Sequence, residues 1–202
     1  GHAGGTAAAL LRQYGHQGPI TLIGDEPLAP YQRPPLSKAW LKGEADADSL
    51  ALKPLEFYAE HQIDFRPNTR AVKLARADKV VTLADGQTLT YDILILATGA
   101  RAIKLPVPGA DLKGLLELRT AADAEALKAA VGPGKRLAVV GGGYIGLEVA
   151  ASGGALGAEV VVIEREPRLL ARVACEALSD FFRGVHEAHG VVFEMGASVT
   201  GF

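Results

Sequence analysis

Hydrophobic residues in this chain gather in short runs bounded by glycine, proline or charge. Ile20-Thr-Leu-Ile23, Ile93-Leu-Ile-Leu96, Leu137-Ala-Val-Val140 and Val160-Val-Val-Ile163 each read as a buried strand. Between them lie stretches with helical spacing: Thr6 to Tyr14, a segment around Pro54 to His61, Ala121 to Val131 behind Thr120 as N-cap, Leu147 to Leu156, and an amphipathic stretch from Leu178 to His189. From Ile63 to Thr90 the pattern changes to short strands: Ile63 to Phe65, Ala71 to Leu74, Val80 to Leu83 and Thr88 to Tyr91. Asp85-Gly86 supplies a hairpin turn there, and Val191 to Phe193 adds a last strand. The alternation of strand and helix predicts an α/β fold: two nested Rossmann-like nucleotide-binding domains with parallel sheets and a small antiparallel crossover sheet. A turn-rich connection, Pro106 to Gly109, sets the expected boundary, giving residues 1–108 and 109–202.

The sharpest chemistry lies at Leu137-Ala-Val-Val-Gly-Gly-Gly-Tyr-Ile-Gly-Leu-Glu148. Gly141, Gly143 and Gly146 form G-x-G-x-x-G between a strand and a helix. The first glycine permits the tight turn, the second lets a pyrophosphate approach the backbone, and the third lets helix and strand pack closely. The helix start offers free N–H groups and partial positive charge to phosphate. Glu164, ending the next strand, can accept hydrogen bonds from both hydroxyls of an adenosine ribose and disfavours a 2′-phosphate, so NADH is expected over NADPH. Arg165, Arg168 and Arg172 lie near enough to tolerate such a phosphate; Arg165 reads otherwise as a solvated surface charge. A glycine-rich turn in an ordinary α/β domain is the alternative.

The opening Gly1-His-Ala-Gly4 followed by helix, strand Ile20 to Ile23 and Asp25-Glu26 repeats this logic, with Gly1 and Gly4 as second and third glycines and the first glycine and its strand absent. Two such units mean two dinucleotides. With no cysteine pair, the expected division of labour is a flavin held in one site and a nicotinamide nucleotide in the other, the flavin releasing electrons singly. Pro27 to Lys38 (PLAPYQRPPLSK) has four prolines and is expected to form no regular helix before Leu36; its rigidity would hold Arg33 and Lys38 near a ligand, or leave them as solvated cations. Lys42 to Ser49 reads as a polar, mobile segment. Ser152-Gly153-Gly154 weakens the helix it sits in.

Composition narrows the alternatives. The chain has 202 residues, 49% apolar and 22% charged, with net charge −2 and no long basic run, so nucleic acid is not an expected partner. No apolar stretch is long enough to span a bilayer and no leader is visible. The lone Cys175 excludes a disulfide framework within one chain and fits a reducing cytoplasm; it reads as a small helix residue. No metal site is expected.

PYQRPPLSK (Pro30 to Lys38), ILATGAR (Ile95 to Arg101), LRTAADA (Leu118 to Ala124) and VVGGGYIGLEVA (Val139 to Ala150) together resemble the FAD-dependent, NADH-using ferredoxin and rubredoxin reductases of the putidaredoxin-reductase type, with the apoptosis-inducing factors as cousins. The resemblance covers essentially the whole chain. It implies that Gly1, Ala3 and Gly4 face the FAD pyrophosphate, Asp25 or Glu26 its ribose, and the backbone of Ala71 its adenine. Ala97, Thr98 and Gly99, with Arg101 in the same motif, would line the FAD. Arg33 and Lys38 would contact the flavin half. Glu148 would contact the nicotinamide amide and pair with Lys38, and these two are the expected catalytic residues. Gly141, Gly143, Tyr144, Ile145, Gly146, Glu164 and Arg172 would bind NADH. RPPLSK stands where the disulfide reductases carry their cysteine pair, so electrons are expected to leave for a ferredoxin or rubredoxin.

The resemblance also marks departures. The glycine–aspartate motif that closes over the far side of the flavin and the C-terminal domain are absent, and roughly half of a family member is expected to be present. The rival expectations are a flavoprotein reducing quinones or oxygen, an NADH-sensing interaction protein, and a fragment that binds NADH without electron transfer.

Overall fold

The computed structural model describes residues 1–202. They pack into two compact units: Gly1–Gln32 with Ala47–Ala100, and Arg33–Asp46 with Arg101–Phe202. The proline-rich excursion from Arg33 therefore packs with the second unit, which a single cut near Pro108 does not capture.

The first unit opens with α1 (His2–Gln13), followed by β1 (Ile20–Ile23), α3 (Ala47–Leu50), α4 (Leu55–Glu60) and β2 (Ile63–Arg66). β1 and β2 form a parallel pair, Ile20 opposite Ile63 and Ile23 opposite Arg66. Ala8, Tyr58 and Ile63 form the core beneath them, with Ile20, Leu22 and Phe65 packed around. The Arg12 guanidinium secures the end of α1 by donating to the carbonyls of His16, Gly18, His61 and Gln62 at 2.6–2.8 Å. An antiparallel meander follows: β3 (Ala71–Ala75), β4 (Val80–Leu83) and β5 (Thr88–Thr90).

The second unit holds α2 (Ala39–Lys42), α5 (Ala121–Ala130), β6 (Arg136–Val140), α6 (Tyr144–Ala155), β7 (Glu159–Glu164), α7 (Glu176–Ala188) and β8 (Val192–Met195). Its sheet is parallel throughout, in the order β6-β7-β8. Strands buried on both faces need apolar residues on both, which is why β7 reads as an unbroken Val-Val-Val-Ile run. Leu41, Leu127, Val139, Val149, Ala150, Val160, Val162 and Val191 make the core. α5 begins with a reciprocal cap: Thr120 Oγ1 accepts from Asp123 N–H at 3.2 Å, and the Asp123 carboxylate accepts from Thr120 N–H at 2.7 Å.

Four expectations need correction. Ile93 to Leu96 is not a buried strand: the segment has no ladder partner, and Ile93 is 84% and Leu96 68% exposed. An apolar run supplies the material for a buried strand, but a strand also requires a neighbour for its N–H and C=O groups, and no strand pairs with this segment. A 3-10 turn over Pro34–Ser37 starts before Leu36, because proline is tolerated in a first helical turn where no N–H is needed. The polar stretch Lys42 to Ser49 contains the start of α3. α1 and α6 begin at His2 and Tyr144, earlier than Thr6 and Leu147, because the second glycine of each motif is the N-cap and the third lies inside the first turn. No helix is long and apolar enough to cross a membrane.

Candidate functional site

The turn from β6 into α6 is built by its glycines. Gly141 has φ +110°, a conformation side-chain-bearing residues avoid. Gly143 is the N-cap of α6, and a Cβ placed there meets nothing within 4 Å, leaving its backbone open to a ligand. A Cβ on Gly146 would lie 2.0 Å from the carbonyl oxygen of Gly141, so helix and turn touch backbone to backbone. With no side-chain cap, the first N–H groups of α6, including those of Tyr144 and Ile145, remain for an anion.

Glu164 ends β7 with both carboxylate oxygens engaged. Gly142 N–H donates to Oε2 at 2.6 Å and Glu166 N–H to Oε1 at 2.8 Å. Two of the roughly four lone-pair positions on a carboxylate remain, enough to accept from a ribose diol. Gly142, Gly143, Tyr144, Glu164, Arg165, Glu166, Leu170 and Arg172 line a groove of about 200 Å³. The arginines divide. Arg168 is committed to structure, donating to the carbonyls of Ala171 (2.9 Å) and Ala174 (2.6 Å) and to Ser179 Oγ (2.9 Å), so it is not available to a phosphate. Arg165 pairs with Glu166 at 3.3 Å, and Arg172 is exposed at the groove.

A second cluster joins the proline-rich segment to α6. Lys38 Nζ lies 2.6 Å from Glu148 Oε2, both side chains part-exposed. Lys38 also donates to the Pro34 carbonyl at 3.0 Å, and Arg33 donates to the carbonyl of Arg119. The 3-10 turn Pro34–Ser37 lies between Arg33 and Lys38, and the Pro34 carbonyl is one of two acceptors at Lys38 Nζ.

In the first unit, Gly1 is the N-cap of α1, and Ala3 and Gly4 sit in its first turn. A Cβ on Gly4 would meet Leu22 and Ala97 at ordinary contact distance, 3.4 and 3.5 Å, so this glycine and Ala97 are neighbours. Of the acidic pair, Glu26 is half-buried and accepts from the Tyr31 hydroxyl, while Asp25 is exposed. Ala71 opens β3; Thr98 and Gly99 follow the unpaired extended stretch, Gly99 with φ +68°, and Arg101 is exposed.

Sequence reasoning missed four participants. Gly142 and Glu166 donate to Glu164, and no spacing rule marks backbone donors. Ser37 and Ser152 flank Glu148, and here a signal existed: Glu148 and Ser152 are four apart on one helix face.

The chain is 52% identical over 200 residues to the probable ferredoxin reductase CtmF of Castellaniella defragrans, covering 99% of this chain and 49% of that protein. It superposes with TM-score 0.94 and 42% identity on the ferredoxin reductase for the CYP199A2 system from Rhodopseudomonas palustris, covering 99% of this chain and 49% of that one. The structure of a covalent putidaredoxin reductase–putidaredoxin complex matches with TM-score 0.90 and 39% identity over 96% of this chain and 48% of the other. The chain therefore spans about half the length of these relatives. The profile of the pyridine nucleotide-disulphide oxidoreductases matches residues 1–202, and with two glycine-to-acid units and a parallel sheet behind the complete one, the chain belongs to that family.

Proposed function

We propose that this chain supplies the nucleotide-binding residues of a cytoplasmic NADH-dependent flavoprotein that reduces a ferredoxin or rubredoxin. The first unit would hold FAD and the second NADH. The observation that carries the reading is the 2.6 Å pair between Lys38 of RPPLSK and Glu148 of the glycine-loop helix, which ties a segment with no cysteines to the nicotinamide-nucleotide unit. A bound flavin supplies hydride acceptance from nicotinamide and one-electron release. The fit of the chain to these groups is local: Gly143 leaves its backbone open, α1 and α6 lack side-chain caps, and Glu164 keeps acceptor capacity for a diol.

Within this reading the α6 and α1 starts bind pyrophosphates, and Glu164, fixed by two N–H groups, selects an unphosphorylated ribose. Glu148 accepts from the carboxamide that orients the nicotinamide, and Lys38 carries positive charge beside it. Hydride transfer needs no general base, so the residues contribute by positioning. Support for an iron–sulfur partner comes from the relatives: one is named a ferredoxin reductase and another is seen joined to putidaredoxin.

The test is the visible absorption spectrum after adding FAD and desalting, followed by anaerobic NADH. Retained flavin bands that bleach with NADH are expected, and Glu148→Ala should slow the bleaching. A colourless protein would overturn the flavin assignment for this chain.

A further inference from the structure

We propose that Ser37 and Ser152 are positioning residues for Glu148, holding its carboxylate so that Oε1 is left as the acceptor for the primary carboxamide of a nicotinamide ring. This rests on the dinucleotide reading of the second unit.

Ser37 has one hydroxyl hydrogen and two acceptors within reach: Glu148 Oε2 at 2.5 Å and the Pro34 carbonyl at 3.4 Å. The shorter bond, to a charged oxygen, takes it. Lys38 Nζ converges on the same Oε2 at 2.6 Å. Both donors therefore occupy one oxygen of the carboxylate and leave the other to a ligand. Ser152, one helical turn beyond Glu148, donates its hydroxyl to the carbonyl of Ser37 at 2.7 Å. One residue of the proline-rich segment is thus gripped twice by α6, through its backbone by Ser152 and through its side chain by Glu148. The order of dependence follows. Ser152 fixes the Ser37 backbone, Ser37 fixes the carboxylate, and the carboxylate presents Oε1.

Burial makes these contacts count. Ser37 is 4% and Ser152 5% exposed, so water does not readily replace either bond once it is removed. Glu148 itself is 32% exposed, which leaves it reachable. Lys38 alone would be a poor restraint, because a flexible four-carbon stem follows the carboxylate instead of holding it.

The test measures binding of NAD⁺ and of ADP-ribose, which lacks only the nicotinamide, by calorimetric titration of the whole chain. Ser37→Ala should weaken NAD⁺ about fivefold, as expected for loss of one hydrogen bond to a charged group, and leave ADP-ribose unchanged. Ser152→Ala should act in the same direction by about twofold, since it loosens Ser37 without removing a partner from the carboxylate. In a Glu148→Gln background, Ser37→Ala should have little further effect, because both act through one group. Equal losses for the two ligands, or full additivity with Glu148→Gln, would overturn the inference and make the serines ordinary packing residues. Should Ser37→Ala not fold, the selective loss in Ser152→Ala decides alone. A wild-type chain that binds neither ligand would overturn the dinucleotide reading, and this inference with it.

Discussion

Gly1 and Gly143 each cap a twelve-residue helix, and Gly4 and Gly146 each fall at the third residue of it, yet the two third glycines meet different surroundings. Gly146 is pressed against the Gly141 carbonyl with no room for a methyl group, whereas Gly4 has ordinary contacts with Leu22 and Ala97. In the first unit the tight place is one residue on: a Cβ on Gly5 would lie 2.4 Å from Pro30. The acids differ too. Glu164 is fixed by the backbone N–H groups of Gly142 in the β6–α6 turn and of Glu166 just past β7, while Glu26 accepts from the Tyr31 side chain. β7 has a neighbour on each side, while β1 has one. The turn into α6 is thus closed backbone to backbone and locked to Glu164, while around α1 the tight contact is between Gly5 and the Pro30 side chain. In the second turn the helix closes directly on the backbone of Gly141.

The largest effect that would break this comparison is at the third glycines. Gly146→Ala should cost about 3 kcal/mol, as overpacking against backbone does, and abolish nucleotide binding by the second unit. Gly4→Ala should shift stability by less than about 1 kcal/mol, since a helix favours alanine and the space is there. Urea unfolding followed by Trp40, the only tryptophan and part of the second unit, reads the first of these, and circular dichroism reads the second. Equal costs at both positions would mean that the two turns are equally tight.

Next in size is the acid. Glu164→Gln should cost about 1–3 kcal/mol, because the amide nitrogen must face one of two buried-side N–H donors. It should also narrow the preference for NADH over NADPH. A Glu164→Gln variant as stable as wild type would show that the backbone lock is dispensable.

The smallest effect sharpens the picture inside α6. A Cβ on Gly154 meets nothing within 4 Å, so Gly154→Ala should stabilise by about 0.5–1 kcal/mol. Gly153→Ala gains the same propensity but must displace the Leu137 side chain, 2.7 Å away, and should end below it. Thermal melts of the two variants in the same buffer decide the order.

Much of this was legible in advance. The complete glycine motif, the run of β7 and the Thr120 cap each combine a local rule with its local consequence, and each structure follows. Ile93 to Leu96 was misread because the rule used was burial, and burial by itself does not provide a hydrogen-bonding neighbour. Arg168 is spent on three acceptors, two carbonyls before α7 and Ser179 on it, which its sequence position near Arg165 does not reveal. In Ser152-Gly153-Gly154 the glycines drew the reading of a weak helix and the serine drew none, yet its hydroxyl donates to a residue 115 positions away.

The sequence by itself determined the class of fold and the two glycine-to-acid units, because these rest on periodicity and on backbone conformations that glycine and proline impose locally, whereas the pairing of Lys38 with Glu148 was implied only by the family resemblance. Only the tertiary structure decided which oxygen of Glu148 is left open, which arginine is committed to structure, and how Glu164 is held. Those outcomes depend on distances between residues far apart in the chain, where a shift of an ångström makes or removes a hydrogen bond.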